Sequence, residues 1–330
     1  MIKCHKYQEF QKSVLLFICV ICIPLHSCEV DPDVIDPDEV NVWKYYNTSN
    51  GLTHNEIKVI HEDRSGSVWV GTNGGGLCKF DDGNWSYIHS GHGLLDNRIL
   101  SIAEDGDGDL WIGTGYGISI ITDDGIVNPD LFMGYFLPVS LYCDNKGRMW
   151  IGSTIGIFLY QSGYLSHFDS ANEDFNTIYC ITEDNTGRIW FATRGGALYY
   201  VNGSFYSKTS DDGLYVDNVH YIFQDSWGDI WFGHLSADRV TRWDGNNFDY
   251  INLYNGYTTS SITSIVEDQN HNIWFTIVES GVVQYDGVIP HAIGLNSGLK
   301  DDFMLSTEVT SDGNIWFGSE SAGIHIYTPE

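Results

Sequence analysis

Seven tryptophans recur along the chain at Trp69, Trp111, Trp150, Trp190, Trp231, Trp274 and Trp316, with gaps of 42, 39, 40, 41, 43 and 42 residues. A period near 40 residues marks one supersecondary unit used repeatedly, and it decides the architecture before any single residue is weighed. Six positions ahead of the tryptophan stands Asp63, Asp105, Asp144, Asp184, Asp225 or Asp268, with Thr310 in the seventh copy. Three ahead stands Gly66, Gly108, Gly147, Gly187, Gly228 or Gly313, with His271 in the sixth copy. Asp-x-x-Gly fits a tight hairpin: the Asp side chain caps the turn backbone, and the Gly supplies the φ > 0 position. Two residues past the tryptophan comes a small residue, Gly71, Gly113, Gly152, Ala192, Gly233, Thr276 or Gly318.

A short apolar strand precedes each turn, as in Ile57–Glu62, Ile99–Glu104 and Ile262–Glu267, and an aliphatic strand follows, as in 76–80, 117–121 and 323–327. An aromatic segment such as 85–88 or 248–251 ends the unit. Each unit therefore reads as four short strands with turn signals about every ten residues. One such sheet cannot bury both faces, whereas seven set radially can. The expected fold is all-β, a seven-bladed β-propeller of four-stranded antiparallel blades over residues 42–330. Apolar residues on both parities of the first strand, such as Ile57 and Ile60, predict burial on both of its faces. The tryptophans are expected to fill the gaps between blades. The last unit stops after its third strand, while Val42-Trp43-Lys44-Tyr45-Tyr46 resembles a fourth strand without a sheet. Pairing of the two would close the ring.

Residues 1–27 read as a leader: Lys3, Lys6 and Lys12, then the short apolar run Val14–Leu25. It ends in Leu25-His26-Ser27-Cys28, which resembles a bacterial lipoprotein signal with Cys28 as the lipidated residue; a plain secretory signal is the alternative. Residues 28–41, rich in carboxylates with two prolines, read as a solvated tether. The expected place is the cell envelope, lipid-anchored at the outer membrane, periplasmic or surface-exposed. Of seven cysteines, Cys78, Cys143 and Cys180 belong to the array, without metal-ligand spacing, and are expected as free thiols. The chain has 44 acidic and 16 basic residues and a net charge of −28, which disfavours nucleic acid and anionic lipid as partners. No cofactor or metal is expected, membrane contact is expected only through the lipid, and the ring is expected to be monomeric.

Gly51-Leu52, Asn55-Glu56-Ile57, Glu62-Asp63, Gly66, Val68-Trp69-Val70-Gly71-Thr72 and Gly75-Gly76-Leu77 together resemble the two-component regulator propeller repeat. The second unit matches nearly as well, and the resemblance covers residues 42–328. In that family such propellers form the extracytoplasmic sensing half of hybrid histidine kinases that detect glycan fragments. The sequence shows one ring's worth of repeats with no spanning helix or kinase after it. What the resemblance implies is a ligand- or partner-binding propeller.

In propellers generally, ligands sit over the channel, on the face shared by the inter-unit loops and the turns after the tryptophan strand. Positions there that break the repeat are the candidates: His54, His92, Tyr116, Arg194, Tyr215, Asp217, Asn218, His234 and Glu279. An aromatic ring with Asn, Asp, Arg and His suits a sugar, the ring for stacking and the polar groups for hydroxyls. For each residue the alternative is a solvated loop side chain. Asp105-Gly106-Asp107-Gly108-Asp109 lacks the later ligands of a calcium loop and aligns with plain turns. Segments such as Asn272-Ile273-Trp274-Phe275-Thr276 also resemble streptogramin lyase propellers, which implies a metal-assisted lyase using His234 and Glu279. Ile277 and Gly281 leave that set incomplete, and no catalytic residue is assigned. The expected function is a non-catalytic binder of a glycan or an envelope protein, with lyase and protein-interaction scaffold as alternatives.

Overall fold

The computed structural model describes residues 43–134, 136–170, 172–253 and 261–329; the leader, Cys28 and the acidic tether lie outside them. The hairpin turn is the seed of each unit. Asp63 Oδ1 accepts the backbone N–H groups of Ser65 and Ser67 at 2.9 and 3.0 Å, and Gly66 sits at φ 87°. In the sixth unit His271 takes up the same left-handed conformation, at φ 65°. The aspartate has a second role that the spacing alone did not disclose. In six units its other oxygen accepts the indole N–H of the tryptophan six residues on, at 2.7–2.8 Å. One carboxylate thus fixes both the turn and the rotamer of the largest core side chain.

Seven four-stranded antiparallel sheets result. Blade 1 comprises Ile57–Glu62, Val68–Thr72, Leu77–Asp81 and Asn84–Ile88. The innermost strands of blades 2 to 7 are Ile99–Glu104, Ser140–Cys143, Ile178–Glu183, Val219–Gln224, Ile262–Glu267 and Met304–Val309. Each innermost strand contacts the next, and the last contacts the first. Blade 7 takes its outer strand from the other end of the array: Trp43–Tyr46 pairs antiparallel with Ile324–Tyr327, from Trp43 opposite Tyr327 to Tyr46 opposite Ile324. The Trp43 ring packs 5.1 Å from Tyr327 and donates its N–H to the Ser297 carbonyl at 3.1 Å. The expected closure is present. Among the described residues no helix is long and apolar enough to cross a membrane.

Each tryptophan does lie between its own blade and the next: Trp69 packs with Ile99, Ile102 and Ile112, and Trp316 with Ile57, Ile60 and Val70. The parity of Ile57 and Ile60 has a different cause from the one expected. A bulge between Ile57 and Val59 inserts one extra residue, so both isoleucines turn to the same neighbouring blade. Five other blades carry the same irregularity.

The small residue after the tryptophan marks the closest approach between blades. A Cβ on Gly71 would sit 2.6 Å from Ile99, one on Gly152 2.6 Å from Ile178, and one on Gly233 2.7 Å from Ile262. Where the next blade starts with Val219 or Met304 instead of isoleucine, the position holds Ala192 or Thr276.

A further link joins blades at the turn end. Glu104 accepts the Arg64 N–H at 2.8 Å, Glu183 that of Asn145 at 2.8 Å, Gln224 that of Asn185 at 2.6 Å, Glu267 that of Ser226 at 2.6 Å and Glu62 that of Ser311 at 2.7 Å. In each case the innermost strand of one blade clips the turn of the blade before it. Blade 7 carries Val309 there and blade 3 carries Cys143, whose sulfur meets the Gly106 backbone of the blade 2 turn in place of a carboxylate. At those two junctions hydroxyls serve instead: Ser101 donates to the Pro138 carbonyl at 2.7 Å and Thr263 to the Met304 carbonyl at 2.8 Å.

Candidate functional site

The turns between second and third strands are hydrogen-bonded to the loops between units, so the two sets share one face. Gly115 N–H donates to the Arg98 carbonyl at 2.8 Å, Leu235 to Asn218 at 3.0 Å and Val278 to Ser261 at 3.0 Å. A hydroxyl usually ends the second strand and closes its turn: Thr72, Thr114, Ser153, Thr193 and Ser319 each donate to the carbonyl of the glycine that opens the third strand, at 2.7–3.0 Å. His234 and Ile277 stand in that slot in blades 5 and 6. At the centre is a cavity of about 810 Å³ lined by residues of all seven innermost strands.

The sequence-derived candidates divide sharply. His54 is half-buried and accepts the Glu56 N–H. His92 is exposed and stacks near His89, ring centres 4.0 Å apart. Tyr116 is 57% exposed beside a small cleft with Phe136, Leu137 and Thr154. Arg194 is exposed and ion-paired with Asp174. Glu279 is exposed at φ 60°. Asp217 accepts the Ser210 N–H at 2.5 Å, as Asn55, Asn97 and Asn176 accept Thr48, Ser90 and Ser170 in their own loops. It is therefore a loop brace of the repeat. His234 is fully buried, with Nε2 at 2.8 Å from Thr241 Oγ1. Burial pulls its pKa down to about 4, so it is neutral at physiological pH. It faces the interior of its blade, and no hydrogen bond joins it to Glu279 among the described residues.

Blade 5 nevertheless gathers four of the candidates. The Tyr215 N–H donates to Thr241 Oγ1 at 3.1 Å, the same hydroxyl that meets His234. The Tyr215 hydroxyl donates to Asp238 Oδ1 at 2.7 Å, a bond that raises the phenol pKa and keeps it protonated. The Arg239 guanidinium lies 5.6 Å over the Tyr215 ring, and Tyr250 packs on the same ring at 5.6 Å. The Asn218 carbonyl holds the Leu235 N–H, which ties the Asp238 turn to the loop carrying Tyr215. Asn218 Oδ1 is buried without a hydrogen-bond partner, and Arg239 Nε is ion-paired with Asp238 Oδ2 at 3.9 Å. The sequence reading left out Asp238 and Arg239 as site residues. Their signal was the missing glycine: blade 5 alone has Arg239 where the other units open their third strand with a glycine. Among the described residues no three His, Cys, Asp or Glu side chains converge as a metal site.

Three segments, residues 51–74, 93–116 and 172–195, match the two component regulator propeller family. These three segments carry the two component regulator propeller repeat. Each match runs from a mouth-face loop through the innermost strand, the Asp turn and the tryptophan strand. The extracellular domain of the hybrid two component system BT3049 from B. thetaiotaomicron is 24% identical, with 88% of this chain and 41% of that one covered and a TM-score of 0.75. That of BT4673 from the same organism is 20% identical, with 87% and 39% covered and a TM-score of 0.72. This chain thus spans about two-fifths of the length of those extracellular domains. Virginiamycin B lyase from Staphylococcus aureus is 16% identical over 88% of this chain and 99% of its own, with a TM-score of 0.70. At these identities the likeness is one of fold. No curated protein matches in sequence.

Proposed function

We propose that this propeller is an extracytoplasmic, non-catalytic binding module that takes a glycan on its mouth face at blade 5. The observation that carries the reading is the cluster there: an aromatic ring, Tyr215, flanked by Asp238 and Arg239. Asp238 and Arg239 are themselves ion-paired at 3.9 Å, and both side chains reach solvent. A sugar offers an apolar ring face for the phenol and hydroxyls that donate to Asp238 while accepting from the solvent-exposed guanidinium of Arg239. A lipid anchor at Cys28 would hold the ring at a membrane. Because ligand bound only by the folded form adds about 2.7 kcal/mol at 100 Kd, a cognate oligosaccharide raises Tm by roughly 4–5 °C for a ring of this size. Melting the protein against an oligosaccharide array is the test. Tyr215→Ala and Asp238→Asn are expected to abolish the shift; an array with no shift, or a shift that survives in Tyr215→Ala, would overturn the reading.

A further inference from the structure

The opposite face, formed by the Asp turns, carries a second feature that the repeat does not require. Trp227 sits at the tip of the blade 5 turn, at a position that elsewhere holds Ser65, Asp107, Lys146, Thr186, Asn270 or Asp312. It is 76% exposed, whereas the other ten tryptophans are buried or half-buried. Its backbone is fixed, since its N–H donates to Asp225 Oδ1 at 3.0 Å. Next to it lies His271, ring centres 5.4 Å apart, in the turn of blade 6. His271 occupies the slot that six units fill with glycine, at φ 65°, a conformation that costs a side chain energy and that glycine adopts freely. Its Nδ1 is held by Glu267 at 2.8 Å and by Ser226 at 3.0 Å, so the ring is oriented and its Nε2 edge is left for solvent. A strained residue locked beside the one exposed indole is what a preformed platform needs.

We propose that Trp227 and His271 form a second carbohydrate subsite, on the face away from the blade 5 mouth cluster, in which a pyranose stacks on the indole and a hydroxyl meets His271 Nε2. Stacking on a rigid aromatic with one aligned polar group suits a neutral sugar ring, whose C–H face is apolar and whose edge carries hydroxyls. The inference stands apart from the mouth-face reading.

The test uses intrinsic fluorescence of the full chain, because Trp227 supplies the solvent-exposed emission. The probes are hexaoses of β-1,4-glucose, β-1,4-mannose, β-1,4-xylose and α-1,4-glucose. At least one is expected to give a saturable blue shift with protection from iodide quenching. Trp227→Ala is expected to remove the response. His271→Gly is expected to weaken binding at least tenfold while Tm stays level or rises, an outcome that a purely structural role would not give. No saturable response from any hexaose, or unchanged binding in His271→Gly, overturns the subsite. A response lost in Tyr215→Ala but kept in Trp227→Ala assigns the sugar to the mouth face and overturns it as well. Trp227-dependent capture of an envelope protein without any sugar response gives the platform to a protein partner and likewise ends the sugar reading.

Discussion

Asp184 concentrates the logic of the repeat in one side chain, and Asp184→Asn tests it. The carboxylate is 3% exposed. One oxygen accepts from Trp190 Nε1 at 2.7 Å and Arg188 Nε at 2.6 Å. The other accepts the backbone N–H groups of Thr186 and Arg188 at 2.9 and 3.1 Å and the Thr186 hydroxyl at 2.6 Å. An asparagine has the same shape but only one acceptor oxygen. In either amide orientation its NH2 confronts two N–H donors, so two buried donors lose their partner. At roughly 1–2 kcal/mol for each, the expected loss is about 2–4 kcal/mol, with the stranded Arg188 charge pushing toward the upper end. The exposed turn residue Asp244 accepts from Asn246 and Asn247 at 2.7 and 2.6 Å, and the Asn246 and Asn247 N–H groups can be served by an asparagine oxygen. Asp244→Asn is therefore expected to cost about 0.5 kcal/mol. Urea unfolding followed by tryptophan fluorescence and far-ultraviolet circular dichroism gives both numbers. The pH dependence supplies a second check. Burial alone would raise the Asp184 pKa, but the hydrogen bonds from Thr186, Trp190 and Arg188 outweigh it and hold the carboxyl below its ordinary range. A depressed carboxyl stabilises the fold above the unfolded pKa and loses that effect as pH falls, so the gap between wild type and Asp184→Asn closes on acidification. A loss under 1 kcal/mol at neutral pH, or a gap that widens in acid, would refute the dual role of the aspartate.

Three further outcomes are expected. Gly233→Ala presses a Cβ against Ile262 Cγ2 and is expected to cost about 1–3 kcal/mol; in an Ile262→Ala background, which lacks that methyl, the same substitution is expected to cost less, and simple additivity in urea unfolding would contradict the contact. Glu308, half-buried at the channel, has its carboxyl pushed up to about 7 by burial, so its share of stability is complete below the ordinary Glu pKa and is lost as pH rises through about 7. Stability is expected to drop by about 2 kcal/mol between pH 5 and 9, and Glu308→Gln to flatten that slope in denaturant titrations. Deleting residues 43–46 uncovers the edge of Ile324–Tyr327 and the packing of Trp43 and Tyr46, and is expected to lower Tm by about 10 °C with the whole ring melting together. An unchanged melt would mean that the strand closes nothing.

The blade count, the closing strand and the inter-blade place of each tryptophan were legible because periodicity and turn chemistry are local. His271 at φ 65° was legible as the odd copy, yet its neighbour Trp227 was not: one aromatic in a turn looks like noise until its 76% exposure is seen. Contacts between units were harder. The Glu before Asp63, Asp105, Asp184 and Asp268 is plain as a motif, but its partner lies on the preceding turn, about 40 residues away along the chain or, for Glu62, at its other end, a pairing no local pattern displays. His234 misled for a similar reason. Its slot faces the blade interior, and only coordinates reveal Thr241 as its partner. Asp217 was read as a deviation although it does the work of Asn55 and Asn97 with an equivalent oxygen.

Five of the seven joints are held by a carboxylate or amide oxygen near the turns, and two, between blades 2 and 3 and between blades 6 and 7, by neutral hydroxyls higher up, helped in the first only by the weakly bonding Cys143 sulfur. Those two lie almost opposite one another, leaving four blades on one side and three on the other. A round plate scored at two facing points creases along the line between them. Flexing of the disc would then tilt blades 3 to 6 as one slab against blades 7, 1 and 2, changing the aperture of the pore without breaking any sheet. Amide exchange should register this as the earliest opening at Ser140–Cys143 and Met304–Val309.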